Sequence, residues 1–260
     1  MDHEALLALF DRRMRREAPP DGPGARVERT PDVVRQVAPA HGWNGVLWSA
    51  PGLTPERADR VIAAEIRRFA SAGLTFEWKL YAHDLPGDLG ERLLAAGFRP
   101  EPEEALMVAE TARLATAVAP PPGIELRPVT DAAGVRLMTR VHDEAFGTDG
   151  TDLGRWLTDR LADEPETLAA VVATAGDRPV SAARLELPPD RAFAGLWGGG
   201  TVPEWRGRGL YRALVAHRAR IAAERGYRHL HVDASDDSRP ILLRLGFRVL
   251  STTTPYVYRP

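Results

Sequence analysis

An apolar strand, Phe193 to Val202, runs through Pro203 into Arg206-Gly207-Arg208-Gly209, and a helix opens immediately afterwards. Two glycines at a helix entry let backbone N–H groups turn toward one point without Cβ obstruction. The helix N-terminus adds unpaired N–H donors and the positive end of its dipole, so that point attracts a phosphate or pyrophosphate. Arg206 and Arg208 contribute fixed positive charge suited to phosphate oxygens. The segment reads as a phosphate cradle set between a strand and a helix.

Its spacing separates it from other glycine-rich loops. A Walker loop ends in Gly-Lys followed by Ser or Thr, and the only lysine of the chain is Lys79. A dinucleotide fingerprint needs a third glycine where this chain has Arg212. Arg206-Gly207-Arg208-Gly209-Leu210-Tyr211 resembles instead the acyl-CoA loop of the GNAT N-acetyltransferase superfamily, Gln/Arg-x-x-Gly-x-Gly/Ala after a strand ending Val-x-Pro. Tyr211 departs from it, standing where Gly or Ala is usual.

The flanking segments follow the same order. Ile124 to Val129 reads as a strand, Asp131 to Phe146 and Asp152 to Asp163 as helices, and Thr167 to Thr174 and Pro179 to Leu187 as strands joined at Gly176-Asp177. Downstream, a helix from Gly209 ends at Gly226, His229 to Ala234 is a strand, and Ser235 to Ser238 turns into a short helix. Gly246-Phe247 then leads into a last strand. The resemblance covers residues 124 to 258. It implies the α/β (α+β) GNAT fold, a mixed, mostly antiparallel central sheet flanked by helices.

Residues 112 to 123, rich in Ala and Thr and ending Pro120-Pro121-Pro122-Gly123, read as a linker. Before it, a helical pattern from Thr54 to Ala72 stops at Gly73, a strand follows from Leu74 to Ala82, and a helix from Leu89 closes on Gly97-Phe98. That succession resembles the tail of the second half. Two GNAT-like modules in tandem are expected, residues 1–115 and 124–260. The first is degenerate, because Pro51 to Glu56 carries neither paired glycines nor arginine.

Composition excludes several functions. A net charge of −2 gives no electrostatic reason for a nucleic-acid or anionic-membrane partner. With no cysteine there is no disulfide, thiolate metal site or Cys nucleophile. The seven histidines form no H-x-x-x-H pair, and no metal site is expected. No apolar run approaches a membrane span and no leader is evident, so a cytoplasmic protein, monomer or homodimer, is expected. Alanine abundance and arginine in place of lysine fit a GC-rich bacterial source.

The resemblance implies acetyl-CoA as acyl donor and an amine of a small molecule as acceptor. It implies a CoA site at Gly200, Thr201, Val202, Arg206, Gly207, Arg208, Gly209, Leu210, Tyr211, Ser235 and Ser238. Many members of the family resemble one another in a strand Glu before the loop and a Tyr ahead of the Gly-Phe closure. Here those positions are Gly195 and Leu242. Asp233, at the end of its strand, and Tyr256 are the catalytic candidates that remain. His142, Asp143, Glu144 and the alternating His229 and His231 read as solvated faces with a weaker claim. Gly198-Gly199-Gly200 marks a bulge or a close ligand approach. Without the usual Glu and Tyr, a non-catalytic CoA-binding module is the alternative to a transferase.

Overall fold

In the computed structural model, which describes residues 2–260, Asp2 opens α1 (His3–Phe10) by accepting the Ala5 amide at 2.8 Å. A wider π-helical turn (Asp11–Arg16) follows. A meander of β1 (Arg26–Arg29), β2 (Val33–Val37) and β3 (Gly45–Ser49) comes next, then α2 (Pro55–Ser71), β4 (Phe76–Tyr81) and α3 (Leu89–Ala95). Thr54 caps α2 and Gly73 leaves it at φ +64°, a conformation only glycine adopts without strain. Val61, Ile62 and Phe69 lie on one face of α2 and pack on Phe76 and Trp78, with Phe69 and Phe76 stacked at 4.2 Å. β5 (Arg99–Pro100) and β6 (Glu104–Glu110) complete this half of the chain.

The second half runs β7 (Ile124–Val129), α4 (Ala132–Phe146), α5 (Thr151–Asp163), β8 (Leu168–Ala175), β9 (Arg178–Glu186), β10 (Phe193–Thr201), α6 (Leu210–Glu224), β11 (His229–Ala234), α7 (Arg239–Arg244) and β12 (Arg248–Tyr258). Asp131 caps α4 through the Gly134 amide at 2.8 Å, and Val135, Met138 and Val141 bury its inner face against Val172 and Val180.

The chain divides into two compact units. The first comprises the residues through Leu106 together with Asp233–Arg239 and Val249–Pro260; the second comprises Met107–Val232 and Pro240–Arg248. This differs from the expected division at residues 112–123. That stretch lies within the second unit, and the final strand goes with the first. In the first unit the strand order is β1-β2-β3-β4-β12, with an antiparallel meander, β3 parallel to β4, and β12 antiparallel to β4. In the second it is β7-β8-β9-β10-β11, antiparallel except for the parallel pair β10 and β11. Both units thus repeat a meander, a crossover helix and a parallel strand, the mostly antiparallel sheet with flanking helices that the sequence predicts.

Candidate functional site

β10 and β11 pair only along Phe193–Gly195 and His229–His231. Past that point β10 changes register against β9, with Trp197 opposite Arg184 and Gly200 opposite Ala182. Gly198 and Gly199 therefore share one partner, Ala183, which is a β-bulge. Each glycine here meets a neighbour that a Cβ would strike. At Gly198, whose φ is +57°, it would stand 2.9 Å from Arg184 Nη1. At Gly199 it would stand 3.0 Å from the Tyr211 ring, and at Gly200 2.9 Å from the Phe146 ring. The triglycine run is thus explained by the bulge and by close packing, and Tyr211 fits because Gly199 has no side chain.

β10 then feeds a 3-10 turn, Pro203–Trp205, and the loop that opens α6. Gly207 and Gly209 have φ of +73° and +85°, and a Cβ on either would meet nothing within 4 Å. Glycine is required there by backbone conformation, and the space above the loop is open. α6 opens directly from Gly209 with no side-chain cap, and a helix leaves its first-turn amides without intrahelical acceptors. Arg208 stacks on the Trp205 ring at 4.6 Å. Arg206 is turned inward instead: its Nε donates to Thr201 O at 3.1 Å and its Nη2 to Ala145 O at 2.9 Å. It ties the strand end to α4, leaving only part of its guanidinium for an anion. Thr201 Oγ1 is 2.8 Å from Ser181 Oγ, Val202 donates its amide to Val180 O, and Leu210 is core. Those three side chains are structural.

The expected proton-transfer groups are placed differently. A Cβ at Gly195 would collide with the Trp197 indole and stand 3.0 Å from His231 Nε2, so those rings occupy the room that an acid would need. Leu242 is fully buried. His229 and His231 are buried as well, not on a solvated face; His229 rests on Phe193 and His231 stands edge-on to Phe193 and Trp197. His142 contacts Thr148 Oγ1 at 3.0 Å, and Asp143 accepts the Gly150 amide at 2.7 Å, so both fix the turn between α4 and α5.

Four expected site residues lie in the first unit. Ser235 and Ser238 form a turn, with the Ser238 amide donating to Ser235 O at 3.1 Å. Tyr256 packs with the first-unit core, its hydroxyl 2.6 Å from where a Cβ on Gly90 would stand. Asp233 is ion-paired through Oδ2 with Lys79 Nζ at 2.5 Å, and its Oδ1 is buried without a hydrogen-bond partner. Burial pulls the Lys79 ammonium down, but Asp233, Tyr81 and Glu77 outweigh it and hold the ammonium well above its ordinary range. Burial, with Asp233 and Glu77 adding to it and Lys79 opposing, pushes the Glu104 carboxyl up to about 7. Sequence reasoning missed this pair because nothing local marks Lys79 as a partner of Asp233. Among the described residues no three His, Cys, Asp or Glu side chains are gathered so as to hold a metal ion. No helix among them is long and apolar enough to cross a membrane.

Residues 135–247 match the Acetyltransferase (GNAT) family model. No curated protein matches the sequence. Among solved structures, a GCN5-related N-acetyltransferase from Kribbella flavida superposes with a TM-score of 0.70 at 19% identity, over 99% of this chain and 94% of that one. A GCN5-related N-acetyltransferase from Sphaerobacter thermophilus gives 0.63 at 18%, over 99% and 86%. A tandem GNAT protein from the clavulanic acid biosynthesis pathway gives 0.60 at 14%, over 92% and 84%. At these identities the likeness establishes the fold.

Proposed function

We propose that this chain is an N-acyltransferase that binds acetyl-CoA at the Arg206–Tyr211 loop and acetylates an amine of a small molecule. One observation carries the reading: two positive-φ glycines, with open space above them, lead from a bulged strand into the N-terminus of α6. The match of residues 135–247 to a GNAT acetyltransferase family supports it. Acetyl-CoA would supply an activated thioester: its acyl carbon would bond to the amine nitrogen as the C–S bond breaks, the electron pair staying on sulfur, so that CoA leaves as the free thiol after taking up a proton while the amine gives one up to water. The loop amides and Arg208 hold pyrophosphate through backbone donors and fixed charge. The β10 bulge turns backbone donors away from the ladder, where they polarise an acyl carbonyl. With Gly195 and Leu242 at the usual acid and base positions, positioning and water carry the proton transfer. We read the first unit as a module without an anion cradle, since Pro51–Glu56 lacks the glycine pair.

The same gaps at Gly195 and Leu242 favour a second reading, a CoA-binding module without turnover. Titration calorimetry with acetyl-CoA, run beside thiol release over an amine panel, separates the two. Binding near about 10 µM with turnover supports the transferase. Binding without turnover on any amine supports the module, and absent binding removes both.

A further inference from the structure

Arg218, on α6, is 1% exposed, one of the largest side chains wholly shut off from solvent. A buried guanidinium is costly unless its charge and donors are met, and the usual solution is a carboxylate. Among the described residues Arg218 has none within ion-pair distance. Its partners are main-chain oxygens: Nε donates to Leu214 O at 3.1 Å, one turn back, and Nη1 to Arg184 O at 3.0 Å. Arg184 is the β9 residue where the ladder with β10 is still in register, one step before the bulge. The third nitrogen, Nη2, lies 3.8 Å from where a Cβ on Gly199 would stand. Burial pulls the guanidinium down to about 10, with Tyr211 opposing and Arg184 adding to the fall, which leaves it charged at neutral pH.

The bulge is therefore flanked by two arginines of unlike state. The Arg184 side chain faces Gly198 and is neutralised by Glu186 at 2.9 Å. Arg218 faces Gly199 from α6 and keeps its charge. A bulge gives up ladder hydrogen bonds, and such a segment stays in one shape only where something else replaces them. We infer that Arg218 is the positioning residue of the β10 bulge: it clamps the β9 carbonyl beside the bulge, stands next to the Tyr211 ring that packs on Gly199, and places an unneutralised positive charge behind the bulge amides. The inference rests on the acyl-transfer reading for its use. In that use, the charge strengthens donors aimed at an oxygen that becomes negative as an amine adds.

The test uses the full chain with Arg218→Met, which keeps length and removes charge and donors, and Arg218→Lys, which keeps charge and one donor. Hydrogen exchange of the protein without CoA reads the clamp directly. Arg218→Met is expected to speed exchange of the amides at 196–201 by about tenfold or more, with β7 and β8 unchanged. Acetyl transfer is expected to lose about 10- to 100-fold in kcat, with CoA affinity within about threefold, and Arg218→Lys to recover part of both effects. A folded Arg218→Met protein with native exchange at 196–201 overturns the inference. So does a loss spread evenly over the second unit, with CoA affinity falling in step and no recovery by lysine. If Arg218→Met does not fold, Arg218→Lys alone decides, by exchange at 196–201 against β7. If the parent protein neither binds CoA nor turns over, the acyl-transfer reading fails, while the exchange result still judges the clamp.

Discussion

Asp233 Oδ2 stands 2.5 Å from the ammonium of Lys79, the only lysine in the chain, and their side chains are 2% and 16% exposed. Asp233 Oδ2 is thus committed to an ion pair with a side chain of its own unit. The pair reads as a structural element.

Asp233→Asn should therefore destabilise the protein by about 3–5 kcal/mol in urea unfolding, since it leaves Lys79 buried without its counter-ion. Combining it with Lys79→Met should restore much of that loss, as both charges are then gone. Thiol release by the double variant decides the role. Turnover within about tenfold of the parent is expected, whereas a stable, inactive double variant would make Asp233 the base.

Glu104 predicts a pH dependence in the opposite sense to an ordinary acid. Its folded pKa of about 7 lies above the ordinary 4.5, so the folded state binds the proton more tightly. Its contribution is complete below about 4.5 and is lost as pH rises through about 7. Glu104→Gln should remove that fall in stability between pH 4.5 and 7 and raise the melting temperature at pH 8. An unchanged profile would show that Glu104 is solvated.

At the loop, Gly209→Val should cut CoA affinity far more than folding stability, because φ is +85° there and a branched residue forces the backbone away. Arg208→Ala should cost about 1–2 kcal/mol of affinity. Arg206→Ala should cost less affinity and more stability, since its donors already serve Thr201 and Ala145. Calorimetric titration beside thermal melting checks the ranking, and the reverse order would place the phosphate contact on Arg206.

Gly195→Glu, which restores an acid on the strand, should not create a base. The new side chain would meet Trp197 and His231, so lower melting temperature and lower turnover are expected. A rise in kcat with a new acidic limb in the pH–rate profile would contradict this.

Much of the second half was legible because its signals are local. Ile124–Val129 and His229–Ala234 fall where the sequence places them, and Gly226 ends α6 at φ +79°. The meander β1–β3 was not. Its alternation is blurred by polar residues drawn inward by partners outside the strand: half-buried Arg35 pairs with Glu65, thirty residues on, at 2.6 Å, and buried Gln36 donates to Trp43 O at 2.9 Å. Burial of His229 and His231 was missed for a related reason, since alternating polar residues on a strand do not reveal that aromatic rings cover them. The glycine loop was read correctly as to conformation. The inward turn of Arg206 depends on the end of α4, which no local pattern announces.

The pairing of β12 with β4, Thr253 with Tyr81 through Tyr258 with Phe76, sets an order of events during synthesis. β4 leaves the ribosome early, yet the strand that covers its open edge is made only after the whole of residues 107–232. For that interval the backbone edge of β4, with Phe76, Trp78 and Tyr81 beside it, is exposed in a half-built sheet, so the first unit cannot mature ahead of the second. A ribosome stalled inside the second unit would present that edge to chaperones and proteases, and quality control of this protein would respond to incomplete chains as sensitively as to mutant ones.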